Sequence, residues 1–354
     1  CSCGVSLQET VGTVIERRQV FDLPEPTLSV TEYQRVRCQC PSCGTLHEGE
    51  FPSAVTAPVQ YGHGVLALTT LLNTAYMLPF KKIHTLFADL FGYAINEGTL
   101  VRGNRVCYEA LAPSCAAIKD QLQDSALCHF DETGVRVDGK LHWQHVVSTL
   151  SATYMFVHAK RGTEALQSPQ SLLFEYQGWA VHDCWASYFG CTSCRHALCG
   201  AHLLRELTAV AEQGRPWAMQ MHRLLLTLYR LSDNGRQTVE YSDRWSQVYD
   251  TLCQRAQREE PPPQREHRRG KATRTKGRNL LERLMKYKAS VLAFAFYAEV
   301  PFTNNQAERD LRPVKVKQKI AGGFRTLVGA QHYARIYSFI STARKQQRHV
   351  FKEL

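Results

Sequence analysis

The sequence predicts an α/β protein: a mixed sheet followed by a long all-helical stretch, with a small cysteine-bearing module and a helical segment ahead of them. Three observations predict this. Cysteine–glycine turns bracket residues 1–46, the hydrophobic period changes from helical to alternating near residue 126, and residues 202–296 return to an almost unbroken helical period. At 354 residues the chain has room for two or three domains and a large core.

The first module spans residues 1–50. CSCG at 1–4 and CQCPSCG at 38–44 flank alternating, strand-like sequence, VGTVIERRQVF and VTEYQRVRC. Two cysteine turns carried on short strands describe a zinc ribbon, with Cys3, Cys40, Cys43 and either Cys1 or Cys38 as ligands. The first turn has only Cys1-x-Cys3, and the chain opens on cysteine rather than methionine, which reads as a fragment or a processed chain. Thirteen cysteines clustered as C-x-C and C-x-x-C in a chain of this size suit metal binding better than disulfides, and hence a cytoplasmic protein.

A helical segment follows over 60–122. GHGVLALTTLLNTAYML is one apolar helix, KKIHTLFADLFG a second that Gly92 ends, and Asn96 caps a third, EGTLVRGNRVCYEAL. The short turns between them read either as a helix-turn-helix on DNA or as a helical lead-in packed on the next domain.

Residues 123–201 hold the sheet. ALCHFDETGVRV meets LHWQHVVSTL across Asp138-Gly139, a two-residue hairpin signal, and ATYMFVHA follows. A helix over TEALQSPQSLLFEY and a short strand, WAVHD, come next, the order of strands that begins an RNase H-like sheet. The helical stretch, 202–300, contains a basic loop at 261–279. Residues 264–278 carry seven Lys or Arg against one Glu. Residues 301–354 restart an amphipathic pattern. The net charge of +11 favours a polyanionic partner, nucleic acid before membrane, and no apolar run nears the roughly 20 residues of a membrane helix. Arg268, Arg269, Lys271, Arg274, Lys276 and Arg278 are candidate DNA contacts, the alternative being a solvated loop.

Candidate chemistry rests on carboxylates. Asp131 sits inside a strand, where Asp is depleted, and Asp183 ends another strand, where α/β sheets gather ligands. If those strands run parallel, the two carboxylates lie side by side and repel unless a cation separates them; hard oxygen donors select Mg²⁺ or Mn²⁺. Glu308, in NNQAERD, is the candidate third ligand, while Glu132, Glu206 and Asp310 could also serve; the structural alternatives are a bulge residue for Asp131, a loop or cap residue for Asp183 and a first-turn acid for Glu308. Asn304 or Asn305 is a candidate cap placing Glu308 one turn into a helix, and Pro313 is expected to kink or restart that helix. Cys191-x-x-Cys194 with Cys199-x-x-His202 has the spacing of a second zinc site, or else Cys199 is a buried strand residue and His202 a capping one.

HFDETG, GWAVHDCWASYF, CRHALCGAHLLREL and NNQAERDLRPVKVKQKIAGGF, in that order, resemble the bacterial DDE insertion-sequence transposases of family sixty-six, over roughly residues 60–343. The knuckles at 1–44 are similar to that family's zinc-binding module. The resemblance places the family's two aspartates on Asp131 and Asp183 and its glutamate on Glu308. It implies an RNase H-like catalytic core with a large all-helical insertion between the second Asp and the Glu. It also implies two Mg²⁺ or Mn²⁺ ions, in-line phosphoryl transfer that cuts an element end and joins it to target DNA, and double-stranded DNA as partner. Arg309, Arg312, Lys315, Lys317 and Lys319, close behind Glu308, then meet phosphates. A homodimer on DNA is expected from a reaction that handles two ends, accessory proteins of the element are a further partner, and the setting is the bacterial nucleoid. Two rival readings remain open: an RNase H-like nuclease that cuts without joining, and a zinc-ribbon DNA-binding protein whose carboxylates are structural.

Overall fold

The computed structural model describes residues 2–6, 8–9, 11–233, 236–262 and 274–354. Cys1, Arg268, Arg269 and Lys271 lie outside the described residues. The chain divides into two compact units, Cys1–Gln60 with His84–Ile95, and Tyr61–Ile83 with Asn96–Leu354. Among the described residues no helix is long and apolar enough to cross a membrane.

In the first unit, β1 (Arg37–Gln39) and β2 (Leu46–Glu48) form an antiparallel hairpin with Cys38 opposite His47. Its turn carries Cys40 and Cys43: the Cys40 amide donates to Thr45 O (2.8 Å) and the Gly44 amide to Cys40 O (2.9 Å), with Gly44 at φ 72°. Thr45 lowers the Cys43 thiol to about 7. The strands expected in VGTVIERRQVF do not form. Val11, Val14, Ile15, Val20 and Phe21 are all exposed, and alternation produces a strand only where a partner ladder and an apolar face exist to receive it. Among the described residues, no three of this module's metal-type donors lie within 4.8 Å of one another.

The helices α1 (His63–Thr74), α2 (Phe80–Phe91), α3 (Glu97–Ala110) and α4 (Ala112–Gln123) precede the sheet, and the Asn96 side chain caps α3 by accepting from the Gly98 amide at 2.8 Å. The strands β3 (Leu127–Val137), β4 (Lys140–Ser148) and β5 (Thr153–His158) make an antiparallel meander. Asp138 and Gly139 turn the first hairpin with φ 49° and 72°, the paired positive angles a two-residue turn requires. One short helix, α5 (Thr163–Leu166), follows instead of the helix expected over 163–176. Pro169 cannot extend it, the Ser168 hydroxyl folds back onto Ala165 O (2.7 Å), and only a single 3-10 turn forms at Leu173–Glu175. Next, β6 (Trp179–His182) adds parallel to β3 and β7 (Arg195–Leu198) parallel to β6, completing a five-stranded mixed sheet in the order β5-β4-β3-β6-β7.

Helices α6 (Gly200–Ala211), α7 (Pro216–Leu231), α8 (Ser242–Glu259), α9 (Lys276–Lys286) and α10 (Lys288–Phe296) come next, then α11 (Asn305–Ala321), α12 (Leu327–Lys345) and α13 (Val350–Glu353). The period of two along each strand sorts the residues onto two faces. On one face, Val135, Val137, Val146, Met155 and Val157 bury against Ala307, Leu311 and Val314 of α11 and Tyr333 and Ala334 of α12. Further along that face, Trp179, Val181 and Ala197 bury against α6, α7 and α10. On the other face Cys128, Phe130, Val147 and Ala180 pack on Ile118 and Leu122 of α4, with Tyr176 and Tyr188. The edge strand β5 is covered: Thr342 and Ser338 of α12 accept from the Thr153 and Met155 amides at 3.0 and 2.8 Å. Pro313 does not break α11, which runs unbroken to Ala321. Packing of Ala307, Leu311 and Val314 on either side of it offsets the one lost hydrogen bond.

Candidate active site

The centre of the sheet brings Asp183 and Glu308 within electrostatic reach of Asp131, while among the described residues the oxygens of the three do not all lie within 4.8 Å of one another. Strands β3 and β6 are paired in parallel with His129 opposite Val181. Asp131 follows this paired stretch by two residues on β3, and Asp183 comes one residue past the end of β6. Both have the odd-numbered parity of Val135 and Val181, so they point to the face that α11 covers. Asp131 Oδ1 accepts from the Glu132 amide (2.8 Å), and Asp183 Oδ1 from the Trp185 amide (2.9 Å). Burial, then the charge of Glu132, then those of Asp183 and Glu308 push the Asp131 carboxyl up to about 7, against the opposing Glu132 hydrogen bond.

Glu308 lies in the first turn of α11, and the segment before it is pinned to the sheet. Asn304 is 1% exposed, and its side chain makes no cap bond to its own helix. Instead Nδ2 donates to Phe130 O (2.8 Å) and Oδ1 pairs with His129 Nδ1 (2.9 Å), both on β3 immediately before Asp131. Its backbone amide donates to Cys199 Sγ at 3.2 Å. Gly200 completes the junction: its amide donates to Phe302 O (2.7 Å), and a Cβ there would sit 2.2 Å from the Phe302 ring. So the start of α6 is drawn against the start of α11. Cys199, His202 and Glu308 offer donor atoms all within 4.8 Å of one another, with His202 Nδ1 3.7 Å from Glu308 Oε1.

The alternative carboxylates are committed elsewhere. Glu132, of opposite parity, is buried on the other face, where it pairs with Arg161 (2.7 Å) and accepts from the Tyr188 hydroxyl. Glu206 pairs with Arg283, and Asp310 with Lys345 (2.7 Å) while accepting from Gln306 and Thr153. The expected four-donor zinc set is not assembled. Cys191 and Cys194 lie together (Sγ–Sγ 3.5 Å) in the core around Tyr188 and Tyr176, whereas Cys199 and His202 gather with Glu308.

Among the candidate DNA contacts, Arg309, Arg312, Lys315 and Lys319 are exposed on α11, with Lys315 Nζ donating to Gly134 O (2.9 Å) beside the carboxylates' strand. Lys317 is not a DNA contact. It is buried, donates to Asn73 O (3.2 Å), lies over the Tyr333 ring, and burial lowers its pKa to about 8. Arg278 is likewise occupied, with Glu282 (2.8 Å) and Glu260 O (2.8 Å); Arg274 pairs with Glu282, and Lys276 stays exposed. The sequence reading missed Arg161, whose guanidinium lies between Trp143 and Trp185 (4.9 and 4.2 Å to the ring centroids).

No curated protein matches the sequence. The model of the family described as "Transposase IS66 family" matches residues 58–332, most of the chain and all of the region built around these carboxylates. The chain therefore belongs to the transposase IS66 family, enzymes that act on DNA.

Proposed function

We propose that the chain cuts an element end and joins it to target DNA by in-line phosphoryl transfer at Asp131, Asp183 and Glu308, on an RNase H-like core interrupted by the helical insertion α6–α10. One observation carries this reading: the buried Asp131 carboxyl feels the charges of Asp183, at the end of the neighbouring strand, and of Glu308, at the start of α11. Asp131 is driven up to about 7 by burial and by its neighbours, and Glu308 Oε1 is enclosed without a hydrogen-bond partner. Such a set is at ease only with a divalent cation among its oxygens, and these hard donors fit Mg²⁺ or Mn²⁺. Bound there, the ions would supply Lewis-acid activation of the attacking oxygen and charge stabilisation at the leaving one.

The chain's own residues do the rest. Asp131 and Asp183 hold their oxygens on two adjacent parallel strands, and Asn304 fixes the first turn of α11 so that Glu308 meets them. Arg309, Arg312, Lys315 and Lys319, exposed along the same helix, hold the DNA backbone without reading sequence. The nucleophile is water in the cut and the freed 3′-hydroxyl in the joining step, and no bond to the protein forms. A dimer on double-stranded DNA follows from the need to handle two ends.

The test incubates the protein with element-end DNA and Mn²⁺ and scores nicking and strand joining. Asp131→Asn, Asp183→Asn and Glu308→Gln each abolish both while DNA binding persists. A variant that cuts at the wild-type rate removes its residue from the site, and nicking without joining replaces the transposase reading with a nuclease.

A further inference from the structure

We propose that Cys199, His202 and Glu308 form a second cation site, of soft and borderline donors, for a thiophilic divalent ion of the zinc class. It shares Glu308 with the carboxylate triad. Binding itself needs only the three side chains; its consequence for cleavage rests on the triad reading above.

Two enclosed atoms face each other there as a loose His–Glu pair. His202 Nδ1 and Glu308 Oε1 are both shut off from solvent, and among the described residues neither makes a hydrogen bond. They stand 3.7 Å apart, beyond hydrogen-bond reach. Donors about 2.0–2.1 Å from a tetrahedral zinc lie about 3.3 Å from each other, so a small side-chain adjustment brings both onto one ion. Cys199 Sγ is the third donor, buried and within 4.8 Å of the other two. The Asn304 amide, which donates to this sulfur at 3.2 Å, sits at the start of the 17-residue α11, and Cys199 itself precedes the first residue of α6.

The donors come from elements already locked together. Gly200 against Phe302 and Asn304 against β3 hold the α6 and α11 starts in contact, so the site is organised without an ion. Three protein donors leave a tetrahedral position for water or a phosphate oxygen. A cysteine, a histidine and one carboxylate prefer zinc, whereas Mg²⁺ and Mn²⁺ prefer the oxygens of Asp131 and Asp183. Occupation of the soft site draws Glu308 away from the triad, so zinc acts as a brake on cleavage.

The test uses the full chain with Cys1, Cys3, Cys38, Cys40 and Cys43 replaced by serine, titrated with Co²⁺ and read by thiolate-to-cobalt charge-transfer absorption. One equivalent is expected to produce the band. Cys199→Ser and His202→Gln should lose it, and Glu308→Gln should bind at least tenfold more weakly. Cys191→Ala and Asp131→Asn should keep it. A thermal melt of each variant confirms folding, and His202→Gln decides the matter if Cys199→Ser does not fold. A band that survives both Cys199→Ser and His202→Gln, or no band in the parent, overturns the proposal. In Mn²⁺ assays, micromolar Zn²⁺ should slow cutting by the parent more than tenfold and leave Cys199→Ser unaffected; equal inhibition of both overturns the brake. Failure of the triad reading shows separately, as cutting by Asp131→Asn with the cobalt band intact.

Discussion

Asp131→Asn should make the metal-free protein more stable while abolishing its chemistry. The Asp131 carboxyl titrates near 7 in the fold, against an ordinary value of 3.8. A folded pKa raised this way means that the native state binds more protons than the unfolded state between those two values. Stability therefore falls as pH rises from about 4 to about 7 and stays low above it. Three pKa units at about 1.4 kcal/mol each set a ceiling of about 4 kcal/mol on the penalty at pH 8. Glu132, itself raised by burial, shares part of that repulsion, so about 2–4 kcal/mol is the working range. Asparagine keeps the oxygen that accepts from the Glu132 amide and removes only the charge. Melts in EDTA should show Asp131→Asn up by roughly 3–5 °C at pH 8 and level with wild type below pH 4. Saturating Mn²⁺ should raise the wild type and not the variant. A variant that melts below wild type at pH 8 in EDTA would refute the argument, because the carboxylate would then be stabilising rather than waiting for a cation.

Three further outcomes follow from the same geometry. Asn304→Ala strips partners from Phe130 O and His129 Nδ1 in a buried setting, for a loss of about 2–4 kcal/mol by urea unfolding and a fall in cutting rate larger than in DNA affinity. Gly200→Ala places a Cβ 2.2 Å from the Phe302 ring, should cost about 1–3 kcal/mol, and should slow cutting by parting α6 from α11; an unchanged rate would mean that the junction does not position Glu308. Lys317→Met should leave the salt dependence of DNA binding unchanged, because its ammonium is buried, whereas Lys315→Ala or Lys319→Ala should each lower the slope of log K against log salt by about 1.

The sheet was legible because its signals are local. Asp138-Gly139 marks the hairpin, and alternation marks which residues of β3 face α11, which separates Asp131 from Glu132. The helix expected over 163–176 failed where Pro169 overrides an apolar pattern, and the strands expected near residue 15 failed because alternation says nothing about whether a partner exists. Lys317 was misread although its spacing held the answer. On a helix, Lys315 and Lys319 share a face and Lys317 lies nearly opposite, the direction that the core claims. The cysteines mark a different limit. C-x-x-C and C-x-x-H spacings say nothing about the face of the sheet, and Cys191 and Cys194 turn toward Tyr188 while Cys199, at the end of β7, turns toward α11. Asn304 was read as a cap from its place before a helix; its bond to Phe130 spans 174 residues, and no local pattern contains that contact.

That long-range contact explains how Glu308 can follow Asp183 by 125 residues and still come within electrostatic reach of Asp131. The insertion leaves the sheet at Gly200 and returns at Phe302, and those two residues are hydrogen-bonded at 2.7 Å. Entry and exit therefore coincide, so the length and internal packing of α6–α10 do not enter the placement of α11. The insertion has a core of its own around Trp217, Met221, Leu225, Tyr249 and Leu281, and meets the sheet at Leu127, Trp179, Val181, Ala197 and Leu198. What positions the start of α11 is Asn304, bonded to His129 and Phe130 of β3, two and one residues before Asp131. A site assembled this way is stiff where two strands and one helix start meet and tolerant everywhere else, which is what the cation-holding role proposed for Asp131, Asp183 and Glu308 would require.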